Sequence, residues 1–157
     1  MSLKKIFFVP CFIITLILMG SPLHPADKSE IKVLIASQKS TFKESIINNL
    51  TQQLGEGKFF IEQIAVSKLS KIDRAEWDAI IILQAVKMGK INAHVKKYLD
   101  NSPSLNKTIL ITTYGSGVPE IGDYDIDAIT CASQMDETLS LTGTIINQLG
   151  LTLQTQP

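Results

Sequence analysis

The chain has 157 residues, 45% of them apolar and 19% charged, and its formal net charge is zero. Those values fit one ordinary domain with a single core and give no sign of disorder or repeats. With no basic stripe to neutralise phosphates, nucleic acid is set aside as a partner.

Lys4 and Lys5 precede the apolar run IFFVPCFIITLILMG (6–20), and the Pro-rich polar stretch SPLHPADKSE follows it. That order reads as an export signal. The run is shorter than the roughly 20 residues a helix needs to cross a bilayer, and Pro10 interrupts it. Ala26 suits the last residue before a cut, although His24 is not the small residue expected two positions earlier. Cleavage is favoured over retention as an anchor. The expected organisation is therefore a signal peptide or N-terminal anchor over 1–26, one domain over 27–150 and a tail over 151–157. The protein is expected to be exported, periplasmic or extracellular, touching a membrane only through residues 6–20 if the signal is uncut. Lys4 and Lys5 are the only charges in residues 1–26, so the remainder carries two more acids than bases. Only Cys131 then remains, which leaves no internal disulfide and no thiolate metal site.

IKVLIA (31–36) is a β-branched run that enters a polar loop, and TFKESIINNLTQQLGEG then repeats Phe42, Ile46, Leu50 and Leu54 every four residues. The pattern predicts strand, loop and amphipathic helix. Thr41 followed by Glu44 forms a capping box, with Gly55 and Gly57 closing the helix. FFIEQIAV (59–66) is the second strand, and KLSKIDRAEWD has room for about one helical turn. DAIIILQAV (78–86) is apolar on both faces, as central parallel strands are. A helix is predicted over INAHVKKYLDN (91–101), strands over TILITTYGSG (108–117) and DAITCAS (127–133), and a last helix over 136–150 with Gly150 after its end. Apolar strands alternating with helical patterns predict a parallel sheet covered on both faces.

This order, with a hydroxyl-rich first loop, resembles the flavodoxin-like family over nearly all of the chain after residue 26. The resemblance is closest over EWDAIIILQAVKMGKINAHVKKYLDN; TTYGSG is similar to the end of the fourth strand, and DAITCAS with the helix after it is similar to the last strand and helix. It implies an open α/β sheet of five parallel strands in the order 2-1-3-4-5, with the second and fourth connecting helices short or missing. It also implies a ligand at the carboxyl ends of the strands, where their order reverses. In the family that ligand is FMN. The phosphate would fall on Ser37, Gln38, Lys39, Ser40 and Thr41, and the ring between Gln84, Ala85, Val86, Lys87 and Met88 on one side and Tyr114, Gly115, Ser116 and Gly117 on the other. No side chain would be catalytic.

Two departures weigh against FMN. Ser40 stands where the family loop has a glycine, and Lys87 and Met88 replace the aromatic residues that stack on the flavin. The loop is equally well read as a helix cap, with Thr41 capping and Lys39 solvated. Asp123, Asp125 and Asp127 alternate like the start of a calcium loop, but Ala128 and Gln134 occupy the positions of its glycine and its bidentate acid. His94 has no partner spaced for metal binding or catalysis, and Trp77 reads as a packing residue. The favoured reading is an exported flavodoxin-like domain that has lost flavin chemistry and serves as a binding or structural module for an unknown protein partner. The alternative is an FMN-binding electron carrier with a variant phosphate loop and a redox partner.

Overall fold

The computed structural model describes residues 30–55, 57–115 and 124–155. The expected signal or anchor lies outside these residues, as do Ser116, Gly117, Asp123 and most of the fourth crossover. Among the described residues no helix is long and apolar enough to cross a membrane.

Five strands, β1 (Ile31–Ser37), β2 (Phe59–Ala65), β3 (Ala79–Ala85), β4 (Thr108–Tyr114) and β5 (Asp127–Ala132), pair in parallel in the order β2-β1-β3-β4-β5. The helices are α1 (Thr41–Leu54), α2 (Ala93–Asn101) and α3 (Thr138–Gln154). The link between β2 and β3 is two short 3-10 segments, Val66–Lys71 and Arg74–Glu76, in place of a full helix.

Side chains that alternate along a strand divide the core into two layers. Val33, Ile35, Ile81, Leu83, Ile109 and Ile111 pack under α1 and α3. Leu34, Ala36, Ile80, Ile82 and Leu110 face the other way, against α2 and the 3-10 segments. The first six residues of β3 are buried without a break, as befits a central strand covered on both sides, whereas β5 at the sheet edge is mostly open. Trp77, just before β3, is buried against this second layer and stacks on Phe60 of β2 with ring centroids 6.3 Å apart.

Two helix ends differ from the sequence reading. Gly150 does not end α3, which continues to Gln154 because Leu149 and Thr152 are buried in turn and Leu153 packs against the core. Residues 151–154 therefore belong to the last helix and not to a tail. Gly55 does close α1, but with φ −67°, so the cap makes no use of glycine's left-handed freedom.

The topology places the site. β1 passes to α1 on one face of the sheet and β3 passes to α2 on the other, so the chain leaves these adjacent strands in opposite directions and opens a crevice between their carboxyl ends.

Candidate ligand site at the strand ends

The first wall of the crevice is the loop from Ser37 to Thr41. Ser40, not Thr41, caps α1: its hydroxyl accepts from the Lys43 N–H at 3.2 Å. The expected Thr41–Glu44 box is replaced because Ser40 has extended backbone angles (φ −166°, ψ 149°), the usual conformation of a residue just before a helix. Any L-residue adopts those angles, so the absence of glycine here strains nothing. Thr41 and Lys39 are exposed, and Ser37 and Gln38 are half-buried. The N–H groups of Lys39, Ser40, Thr41 and Phe42 have no acceptor among the described residues. Four unpaired donors at the positive end of a helix dipole attract an anion.

Gln38 ties the loop to the next strand. Its N–H donates to the Leu83 carbonyl at 3.0 Å, and its side-chain oxygen accepts from the Ala85 N–H. A shallow cleft of about 320 Å³ runs beside this loop between Lys39 and Lys68.

The second wall follows β3. Gln84, placed at the ring by the resemblance, is fully buried and works as a staple. Its amide donates to the Thr112 hydroxyl at 3.1 Å and its oxygen accepts from the Asn92 N–H at 2.9 Å, while the Thr113 hydroxyl donates to its backbone carbonyl at 3.1 Å. The Val86 N–H donates to the Thr113 carbonyl at 2.9 Å, so the outgoing chain is locked onto β4. Beyond it, Lys87 and Lys90 exchange two backbone hydrogen bonds of 3.0 Å across Met88 and Gly89. Both tip residues have positive φ, 51° and 74°, as a tight two-residue turn with right-handed twist requires. Met88 is left 98% exposed at the tip.

The third wall is Tyr114, half-buried at the end of β4, followed by the exposed Gly115. The structure thus brings the ends of β1, β3 and β4 together and gives their residues unequal roles. Lys39, Thr41, Lys87, Met88 and Gly115 are open, Ser37, Gln38, Ser40, Ala85, Val86 and Tyr114 are partly covered, and Gln84 is internal. Ser116 and Gly117 lie outside the described residues. His94 is exposed at the start of α2, its N–H held by the side chain of the cap residue Asn92 at 2.9 Å.

Sequence reasoning missed Lys43. It is 3% exposed on the covered face of α1. Burial lowers its pKa, the charge of Lys87 lowers it further, and Cys131 acts in the opposite sense. The half-buried Cys131 thiol is pushed up by burial and by Glu137, with Lys43 pulling the other way. The signal was a lysine one turn ahead of the buried Ile47, hence on the same face.

A cavity of about 780 Å³ lies elsewhere, at the amino ends of β4 and β5 among Asp100, Tyr124 and Asp127. There Tyr124 donates to Asp100 at 2.6 Å and Lys96 pairs with Asp100 at 2.7 Å.

No family model and no curated protein matches the sequence. Solved structures do match in fold. An oxidoreductase from Corynebacterium diphtheriae is 15% identical with a TM-score of 0.56, over 82% of this chain and 100% of that one. The two-electron reduced flavodoxin of Megasphaera elsdenii is 14% identical with a TM-score of 0.54, over 79% of this chain and 99% of that one. A lysine decarboxylase from Francisella novicida is 8% identical with a TM-score of 0.55, over 82% of this chain but 18% of that much longer one. Identities this low speak to architecture alone. With its strand order and the crevice at the reversal point, the fold of this chain is flavodoxin-like.

Proposed function

We propose that the strand-end crevice binds flavin mononucleotide and that the protein is an exported electron carrier. The observation that carries this reading is the row of four unpaired N–H groups over Lys39–Phe42 at the start of α1. The donor set fits a phosphate: the N–H groups have no acceptor among the described residues, Ser40 is unstrained where a glycine was expected, and the one acid of the first turn, Glu44, follows the loop and lines the adjoining cleft. Met88 offers a polarisable thioether on an exposed turn, and a sulfur–aromatic contact contributes about 0.3–1.5 kcal/mol, comparable with the ring stacking it replaces. Tyr114 supplies a second apolar surface at the end of β4. When bound, the flavin supplies one- and two-electron transfer. The chain's own part is to hold the phosphate, sandwich the ring and exclude water from it.

A second reading, the module without flavin favoured by the sequence, draws support from exposed apolar side chains on segments that follow β3 and β5. Met88 after β3 and Met135 and Leu139 after β5 are 98%, 53% and 67% exposed, and exposed apolar side chains suit a protein partner.

Titration of FMN into the purified protein, followed by flavin fluorescence, separates the two. Saturable binding at micromolar or lower concentration is expected. Thr41→Pro removes one of the four donors at a helix position where proline is well tolerated, and the preceding Ser40 is already extended. Loss of a charge-assisted hydrogen bond should weaken FMN roughly tenfold or more while leaving the melting temperature unchanged. No saturable binding to demonstrably folded protein would leave the module reading in place.

A further inference from the structure

A parallel crossover ordinarily carries a helix, but β2 passes to β3 through two short 3-10 segments, and the space beside α2 is left partly open. A pocket of about 380 Å³ lies there, between those segments and the last turn of α2, within the roughly 300–1,000 Å³ of small-ligand sites. Leu69, Ile72 and Tyr98 give it apolar walls, and Ser70, Arg74 and Lys97 line it with donors. Among the described residues no acid lines it. Because α2 runs from the end of β3 to the start of β4, its last turn and this pocket stand at the amino end of the sheet, away from the crevice.

Both cations lack a counter-charge. Arg74 lies 5.6 Å from the centre of the Tyr98 ring and donates to the Ser104 carbonyl, two contacts that hold the guanidinium in place. It pairs with no carboxylate among the described residues, and its buried Nε has no hydrogen-bond partner. Lys97 is exposed and equally unpaired. The acids nearest in the chain are engaged elsewhere: Asp73 accepts from the Ala75 N–H at 2.9 Å, and Asp100 is held by Lys96 and Tyr124. Cations often serve a helix end by satisfying its last carbonyls. That role is already filled here: the Asn101 amide donates to the Lys97 carbonyl at 2.6 Å, the Ser102 hydroxyl to Tyr98 at 2.6 Å and the Ser102 N–H to Leu99 at 3.3 Å.

We infer that this pocket binds a small organic carboxylate, with its charge between Arg74 and Lys97 and its apolar body on Leu69 and Ile72. A planar guanidinium with donors to spare matches a planar carboxylate, and the Ser70 hydroxyl, unpartnered among the described residues, supplies a further donor. A dianion such as phosphate suits the pocket less, because the negative end of the α2 dipole borders it. The site neither needs nor excludes a flavin in the crevice.

The test follows the backbone amide resonances of isotope-labelled protein while benzoate is added, with benzyl alcohol as the uncharged match and inorganic phosphate as a second anion. Benzoate should produce saturable shifts at Ser70, Tyr98 and Asn101, and the other two probes should not. Lys97→Glu, which puts an acid at an exposed position of α2, should abolish those shifts. Arg74→Lys, which keeps the charge and loses the planar fork, should weaken benzoate roughly tenfold or more. If Arg74→Lys does not fold, Lys97→Glu decides alone. Benzoate shifts confined to Lys39–Phe42 would place the anion in the crevice and overturn the assignment. So would shifts that survive Lys97→Glu, equal shifts with benzyl alcohol, phosphate bound as tightly as benzoate, or no saturable shift at all.

Discussion

Lys43 and Cys131 sit in each other's electric field at the carboxyl end of the sheet, and their titrations are linked. The thiol is neutral below its ionisation and its folded pKa is raised above the ordinary 9.0, so the folded chain holds that proton to higher pH than the unfolded chain. The sign follows: this group leaves stability untouched below pH 9.0 and withdraws it as the pH climbs from there through the folded value. Lys43 acts oppositely, because its folded pKa is lowered and its burial penalty is relieved as the pH rises toward 10.5. Alkylation of Cys131 by iodoacetamide, read peptide by peptide in a mass spectrometer across pH, should have its midpoint above 9.0. Lys43→Met should move that midpoint higher still, because the cation that favours the thiolate is gone. An unchanged midpoint would show that the two groups do not interact. Cys131 was legible as the one cysteine after residue 26. Lys43 was not, because the four-residue stripe marks apolar positions and passes over a charge that shares their face.

Among the elements, the turn after β3 was the hardest to read. A two-residue turn with positive φ at both tips normally announces itself as Asn-Gly or Asp-Gly, and here it is Met-Gly between two lysines. The missing aromatic residues were visible in the sequence, whereas the geometry that lifts Met88 into solvent was not. Gly89 has φ +74° and nothing within 4 Å of an added Cβ, so Gly89→Ala introduces strain without a clash. Urea denaturation should show a loss of about 1 kcal/mol. Met88→Asn, which tolerates the left-handed region better, should show none. The cap of α1 was misassigned by one residue for a related reason: Ser40 and Thr41 are both good caps, and only the backbone angles decide between them.

At the scale of the molecule, patterning predicted a parallel sheet covered on both faces, the family resemblance supplied the strand order, and the burial of the strands agrees with that order. β3 and β4 are buried on both faces and sit centrally, while Glu62 and Gln63 in β2 and Asp127 and Thr130 in β5 are exposed on the edge strands. The same logic grades the energetics. Ile81→Ala, in the middle of β3 between two covered layers, should cost about 2–5 kcal/mol in chemical denaturation. Ile129→Ala, on the edge strand and only partly buried, should cost less than half as much. Equal losses would mean that the edge strand carries as much of the core as the centre.

The position of Trp77 has an optical consequence. It precedes β3, whose far end forms the crevice, and eight residue steps of extended chain lead from Trp77 to Ala85, about 26 Å at the usual rise per residue. A flavin in the crevice is beyond contact with the indole. Any dimming of tryptophan emission on adding flavin would then be excitation passed through space along the length of the strand. Its extent would gauge how far the dye stands from the opposite end of the sheet.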